Sequence, residues 1–144
     1  MNKIEKVKKI IIDKPLKLDC GKTISNFPLA YETYGLLNEK KDNAILAFHA
    51  LTGDQFASGI NPITNKEGWW SYALGPGKAI DTNKYFVICA NVIGGCMGSY
   101  GPSSINSETK EPFGTNFPVI TINDMVNAQY HLLEFFKIEK LFSV

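Results

Sequence analysis

Hydrophobic residues in the first 35 positions fall into short runs separated by turn-forming residues. The runs cover residues 7–12, 15–18 and 29–34, with breaks rich in Asp, Gly and Pro, the last of them at Phe27 and Pro28. Short apolar runs bounded in this way are typical of β-strands. The sequence therefore predicts antiparallel strands or hairpins here, followed by a charged surface loop.

Two later segments, residues 43–48 and 85–92, are nearly uninterrupted in their hydrophobicity. A strand without polar alternation is covered on both faces, which is typical of a central parallel sheet. In the crossover between them, residues 67–74 are predicted to form a short helix. Residues 94–118 are rich in glycine and proline and fit neither a helix nor a long strand, but their aromatic side chains favour an ordered, packed loop.

The clearest helical pattern covers residues 121–137. Thr121 is placed to cap the helix, and Asp124 to complete a capping box. His131 is expected to face solvent. The apolar residues at 141–144 are typical of the start of another strand. The order of elements predicts an α/β fold. Apolar residues at helical spacing predict a buried stripe with Gln129 as its one interruption: Ile122, Met125, Val126, Leu132, Leu133 and Phe136.

Composition and charge exclude several classes of protein. The chain has 15 basic and 14 acidic residues, and this balance gives no sign of a nucleic-acid-binding surface. The lysine-rich residues 3–9 are interpreted as a solvated terminus. Cys20, Cys89 and Cys96 have neither disulfide nor zinc spacing, and Cys89 is expected to be a core residue. No apolar run suits a signal peptide or a membrane span, so we expect a cytoplasmic protein.

The most informative motif is HALTG at residues 49–53, directly after an apolar strand. A strand that stops at such a turn leaves main-chain N–H groups free to face an anion. Acyl-transfer enzymes use amides of this kind as an oxyanion hole, because the donors must be fixed before charge develops. The amides of Leu51 and Thr52 are the candidate donors, with His49 as scaffold. The alternative is an ordinary turn with a buried, hydrogen-bonded histidine.

A second motif, GGCMG at residues 94–98, fits the G-x-C-x-G pattern of a cysteine nucleophile. Such an elbow requires a helix immediately afterwards, and the Ser-Tyr-Gly-Pro that follows does not open one easily. We interpret the segment as a glycine-rich loop that lines a pocket, with Asn91, Gly94 and Gly95 as candidate substrate-binding residues. A cysteine hydrolase built on Cys96 is the alternative. The acidic residues and histidines are too scattered to predict a metal site.

Several strings together identify the chain as similar to a known family. It resembles the homoserine O-acetyltransferases, acyltransferases of methionine biosynthesis with the α/β-hydrolase fold. The strings follow the family's order along nearly the whole chain from Leu29 onward: LAYETYG at 29–35, HALTGD at 49–54, GWW at 68–70, GPGKAIDT at 75–82, YFVIC at 85–89, NVIGGCMGSYGPSSIN at 91–106, FP at 117–118 and TINDMV at 121–126.

The resemblance implies that residues 1–144 form the N-terminal part of a single α/β-hydrolase catalytic domain, in which antiparallel strands lead into a parallel sheet. It implies a ping-pong reaction: a serine takes an acetyl group from acetyl-CoA and passes it to the side-chain hydroxyl of L-homoserine. The Leu51 amide would supply half of the oxyanion hole, with Thr52 as a further contact. No bound cofactor and no membrane partner are implied, and the full-length protein would be a homodimer.

The sequence departs from the family's pattern at its end. Residues 141–144 correspond to the strand before the G-x-S-x-G nucleophile elbow, and neither the elbow nor the Asp and His of the triad follows. Ser143 lacks the flanking glycines of a nucleophile. We therefore expect this chain alone to be inactive and to expose apolar surface. Two alternatives stay open: a homoserine O-succinyltransferase of the same fold, and one half of a split enzyme that acts as a non-catalytic association module.

Overall fold

A mixed β-sheet forms the centre of the molecule. The computed structural model describes residues 7–144, so residues 3–6 of the lysine-rich segment lie outside the description. The strand order in this sheet is β1 (Lys9–Ile12), β4 (Phe27–Tyr34), β8 (Phe86–Ala90) and β5 (Ala44–Ala47). The first two pairs are antiparallel, and β8 pairs with β5 in parallel. This arrangement confirms the predicted change from antiparallel strands to a parallel sheet.

Smaller elements surround the sheet. A β2–β3 hairpin joins Leu16–Lys17 to Thr23–Ile24, and β6 (Leu74–Gly75) pairs in parallel with β7 (Ile80–Asp81). A 3₁₀ turn covers Gly114–Asn116, and the helix α1 covers Ile122–Phe136. Within the described part of the chain, no helix is long and apolar enough to cross a membrane. The predicted α/β class is confirmed.

The two uninterrupted apolar segments form the parallel pair of the sheet, with β8 inside the sheet and β5 as the last of its four strands. Every residue of β8 is buried, and Val87 of β8 lies opposite Ile45 of β5. Beyond β5, Ser143 forms a parallel bridge with Ile45, and its carbonyl accepts the Leu46 N–H at 3.1 Å. The predicted start of a strand after the helix is therefore confirmed. The flanking side chains of this edge, Phe142 and Val144, are exposed.

The predicted break at Phe27 and Pro28 was wrong, because β4 begins at Phe27 and runs through the proline. Pro28 lies opposite Ile11 of β1. Main-chain N–H groups along a strand alternate between its two sides, and Tyr31 donates toward β1 whereas Ala30 donates to Ser99 on the other side. Pro28 lies on the same side of β4 as Ala30, away from β1. Its missing N–H therefore removes no hydrogen bond between β4 and β1.

The predicted helix at residues 67–74 was also wrong. The carbonyl of Trp70 accepts N–H groups from both Ala73 and Leu74 at 2.9 Å, which forms a single turn. Gly75, with φ of +155°, and Pro76 follow directly. Neither residue continues a helix, and one isolated turn is unfavourable because nucleation is costly. The segment therefore runs from turns directly into β6.

The long loop after β8 is ordered, as predicted, by an aromatic cluster. The ring of Tyr100 lies 5.1 Å from Phe117, 5.7 Å from Phe113 and 6.1 Å from Phe27 between ring centroids. Contacts at these separations add to the burial of apolar area. The cluster holds the loop against the start of β4.

The helix α1 has the predicted cap and most of its predicted stripe, since Met125, Leu132, Leu133 and Phe136 pack in or against the core and Gln129 is buried with them. Thr121 and Asp124 form a complete capping box. Asp124 is fully buried, and its other oxygen accepts the Asp19 N–H at 2.9 Å. Ile122 and Val126, predicted to be buried, are 78% and 46% exposed. A buried carboxylate is tolerated here because main-chain donors satisfy it, and the sequence pattern could not show those donors.

His131 does not face solvent freely, contrary to prediction. Its side chain is only 16% exposed, and its Nδ1 lies 2.9 Å from an oxygen of Glu134. The other Glu134 oxygen accepts from Lys14 Nζ at 2.9 Å. The hydrogen bond from Lys14, and then that from His131, lower the pKa of the Glu134 carboxyl.

Candidate functional site

The HALTG motif forms a tight turn at the carboxyl end of β5. The Gly53 N–H donates to the Ala50 carbonyl at 2.8 Å, so Leu51 and Thr52 are the two central residues of the turn. Leu51 is 95% exposed. Neither the Leu51 nor the Thr52 N–H donates to any acceptor within residues 7–144. The turn, called the oxyanion turn below, therefore presents two free main-chain donors side by side.

His49 connects the oxyanion turn to the loop that follows β8. Its Nδ1 lies 2.7 Å from the Ala50 carbonyl, and its Nε2 accepts the Val92 N–H at 3.3 Å. The Asn91 Nδ2 lies 3.4 Å from the same Nε2. Neither ring nitrogen faces a serine or a cysteine among residues 7–144. His49 is therefore placed as a structural link, as the sequence suggested, and not as a base.

Asn91 supports this junction from below. It is 1% exposed, and its Oδ1 accepts the Met97 N–H at 3.1 Å. A Cβ at Gly95 would lie 2.8 Å from that Oδ1, so glycine is needed there for the close approach. The structure thus places Asn91 inside the protein, under the loop. Its predicted contact with substrate stays a prediction, and its observed partners are protein groups.

Gly94 and Gly95 form the bend of the loop. Gly94 has φ of +85°, and its N–H donates to the Tyr100 carbonyl at 2.7 Å. Cys96 is exposed, and turns and bends follow it instead of a helix, as predicted. Without a helix N-terminus or a neighbouring base, nothing in the described residues activates the Cys96 thiol.

An apolar cleft of 420 Å³ opens beside the oxyanion turn. One wall comes from the turn and from Val92, the second residue after β8, and the other from the first turns of α1. Three helix residues of the predicted buried stripe, Ile122, Met125 and Val126, line this cleft. The lining residues are Phe48, His49, Ala50, Leu51, Val92, Ile122, Met125 and Val126.

Sequence reasoning missed the residues that anchor the far side of the turn. Asp54 Oδ1 accepts the Phe56 N–H at 2.8 Å, and Oδ2 accepts from Asn61 Nδ2 at 2.9 Å. Tyr34 Oη accepts the Ser58 N–H at 3.1 Å. Burial raises the pKa of Tyr34 to about 12. The Asp-x-x spacing of an Asx turn in Asp54–Phe56 was a signal that could have found the first anchor.

Cys89 is the penultimate residue of β8 and is fully buried. Burial raises the pKa of its thiol to about 12, with a smaller contribution from Asp54. A thiol in this setting stays protonated and unreactive. Among residues 7–144, no three His, Cys, Asp or Glu side chains converge to hold a metal ion.

Comparison with known proteins identifies the relatives of this chain. No family model matches it. It is 78% identical, over its whole length, to a homoserine O-acetyltransferase of Pelagibacter ubique, of which it spans 39%. The resemblance to the homoserine O-acetyltransferases is confirmed. The chain thus spans about two fifths of the length of this curated relative.

Solved structures agree with the sequence relatives. The fold is similar to that of a homoserine O-acetyltransferase from Bacillus anthracis, with a TM-score of 0.85 and 36% identity over 94% of this chain and 38% of the other. It is also similar to an esterase, with a TM-score of 0.82 and 38% identity over 94% of this chain and 39% of the other. These matches confirm the α/β-hydrolase type of fold, of which the described residues form part.

Proposed function

We propose that this chain is part of an acyltransferase that moves an acetyl group from acetyl-CoA to the side-chain hydroxyl of L-homoserine. The observation that carries the proposal is the oxyanion turn, with its two unpartnered amides beside an apolar cleft. The 78% identity to a homoserine O-acetyltransferase supports the choice of donor and acceptor.

The turn would act on the charge that develops during acyl transfer. When a nucleophile adds to the thioester carbonyl, the carbonyl oxygen becomes an oxyanion. A hydrogen bond from the Leu51 N–H stabilises that oxygen, with Thr52 as a further donor, and the C–S bond then breaks to release the CoA thiol. Attack by the homoserine hydroxyl on the acyl-enzyme forms a second oxyanion in the same place.

The nucleophile and its base would come from the rest of the longer polypeptide. Within residues 7–144, His49 faces main-chain groups and an amide, and His131 faces Glu134. Neither is hydrogen-bonded to a serine, so neither histidine forms a serine–histidine pair of nucleophile and base. We therefore expect no transfer activity from the 144-residue chain alone.

A hybrid protein tests the proposal. Residues 1–144 replace the matching segment of the Pelagibacter ubique relative, and the remainder of that relative completes the polypeptide. We expect the hybrid to release CoA thiol from acetyl-CoA only when L-homoserine is present, and to form O-acetylhomoserine. A folded hybrid with no acetyl transfer, assayed beside the active parent relative, would contradict the proposal.

Ester hydrolysis is a second candidate function, favoured by the 38% identity to a solved esterase. In that case water instead of homoserine would attack the acyl-enzyme. The same hybrid distinguishes the two, because a hydrolase releases acetate from a simple acetate ester without homoserine. Succinyl-CoA offered in place of acetyl-CoA tests the succinyltransferase alternative.

A further inference from the structure

Both ring nitrogens of His49 face groups whose hydrogen-bonding role is fixed. Nε2 faces the Val92 N–H, a main-chain group that can only donate. Nδ1 faces the Ala50 carbonyl, which can only accept, at 2.7 Å. A hydrogen bond at each end therefore requires the proton on Nδ1 and a lone pair on Nε2.

Asn91 reinforces this assignment. Its Oδ1 accepts the Met97 N–H, so the amide is oriented with Nδ2 toward His49. Two donors then face Nε2, and an unprotonated Nε2 is the form that can accept from them. A doubly protonated imidazole would instead bring two N–H groups together at Val92.

The contacts run from the site through the histidine to the neighbouring loop. A Cβ at Gly53 would lie 2.9 Å from the His49 Cβ, so the ring and the turn are packed without spare room. On the other side, Asn91 holds Met97, two residues beyond the Gly95 bend. The ring of His49 therefore joins the turn after β5 to the loop after β8.

We propose that His49 is a positioning residue, held as the neutral Nδ1–H tautomer, that fixes the Leu51 and Thr52 amides relative to the loop after β8. The catalytic consequence rests on the proposed function, whereas the tautomer does not. Preorganised donors are effective because they need no rearrangement as charge develops. Loosening the link lowers the rate without removing a donor.

The tautomer is tested first, on the 144-residue chain. Nitrogen-15 NMR of the histidine rings distinguishes a protonated from an unprotonated nitrogen, and His131 is the only other histidine in the sequence. A His131→Gln variant assigns the His49 signals. We expect a protonated Nδ1 and an unprotonated Nε2. The opposite tautomer, or a mixture in rapid exchange, would overturn the proposal.

Three variants of His49 in the hybrid then separate its contact with the Ala50 carbonyl from its contact with the Val92 N–H. His49→Gln can keep an acceptor near Nε2, His49→Asn can keep a donor near Nδ1, and His49→Ala keeps neither. We expect His49→Ala to lower kcat by about 10- to 100-fold, less than the roughly 10²- to 10³-fold expected when an oxyanion donor is removed outright. KM for acetyl-CoA should change little, and each conservative variant should recover part of the loss.

The possible outcomes distinguish the positioning role of His49 from the proposed acetyl-transfer function. An unchanged kcat in His49→Ala, or an effect confined to KM, would overturn the positioning role. Equal losses in all three variants, tracking their thermal stability, would show a structural role only and would also overturn it. If the parent hybrid transfers no acetyl group but NMR finds the Nδ1–H tautomer, the proposed function fails while the link between the loops stands.

Discussion

Replacing Leu51 by proline removes the main-chain donor on which the proposed function depends. Leu51 is the second residue of the turn from Ala50 to Gly53, and this is the position at which proline is favoured in the common turn types. The substitution therefore deletes one N–H while the turn itself can persist. Leu51→Ala is the matched control, because it removes the side chain and keeps the N–H.

The structure sets the expected magnitudes. The Leu51 N–H has no acceptor within residues 7–144, and the residue is 95% exposed, so proline breaks no internal hydrogen bond and removes no packed surface. Stability should change by no more than about 0.5 kcal/mol. Loss of one oxyanion donor costs roughly 3–4 kcal/mol of transition-state stabilisation, which lowers kcat by about 10²- to 10³-fold.

The assay is CoA thiol release by the hybrid, with kcat and KM measured for both variants and thermal melting as a check on folding. Leu51→Ala should stay within a few-fold of the parent hybrid. If Leu51→Pro melts like the parent and also keeps its kcat within a few-fold, the Leu51 amide is not an oxyanion donor.

Three further predictions concern the framework of the site. At pH 8 a thiol reagent should modify the two exposed cysteines of the folded chain and spare Cys89, whose burial raises its pKa to about 12; modification of all three at one rate would contradict this. Asp124→Ala should lower the free energy of unfolding by about 2–4 kcal/mol in denaturant titrations, because the Thr121 and Asp19 N–H groups both lose their acceptor. A loss below 1 kcal/mol would count against this role of Asp124. Gly35 and Gly21 both have positive φ, but a methyl group at Gly35 would meet the Tyr85 carbonyl, whereas no atom lies within 4 Å of one at Gly21. Gly35→Ala should therefore destabilise the protein more than Gly21→Ala, and equal melting temperatures would contradict this steric effect.

The strands that could be predicted best from the sequence are those with uninterrupted apolar runs. The segments around β5 and β8 are apolar at nearly every position, and such runs in a small α/β protein are typical of parallel strands that are covered on both faces. The cap of α1 was equally readable, because Thr121 and Asp124 have the spacing that a capping box requires.

The errors occurred where a distant partner decides the outcome. Asp124 is buried because the Asp19 N–H comes to it from 105 residues away. Ile122 and Val126 are exposed because they face the cleft and not the sheet. Hydrophobic spacing reports that a residue is apolar, but it does not report which neighbour, or which cleft, that residue faces.

The candidate site could be predicted only in part, because its local turn is visible in the sequence and its distant contacts are not. The position of the oxyanion turn follows from a strand that stops at a glycine-ended motif. The contact of His49 with Val92, across 43 residues, depends on β5 and β8 being neighbours in the sheet. Sequence alone suggested a scaffold role for His49, and the geometry supplies its partners and its tautomer.

Acetyl transfer by the hybrid protein is the most direct test of whether this chain is part of a homoserine acetyltransferase. Joined to the remainder of the Pelagibacter ubique relative, residues 1–144 should support formation of O-acetylhomoserine from acetyl-CoA and L-homoserine, and Leu51→Pro should reduce that rate by about 10²- to 10³-fold. A well-folded hybrid that forms no O-acetylhomoserine while the parent relative does would contradict the account.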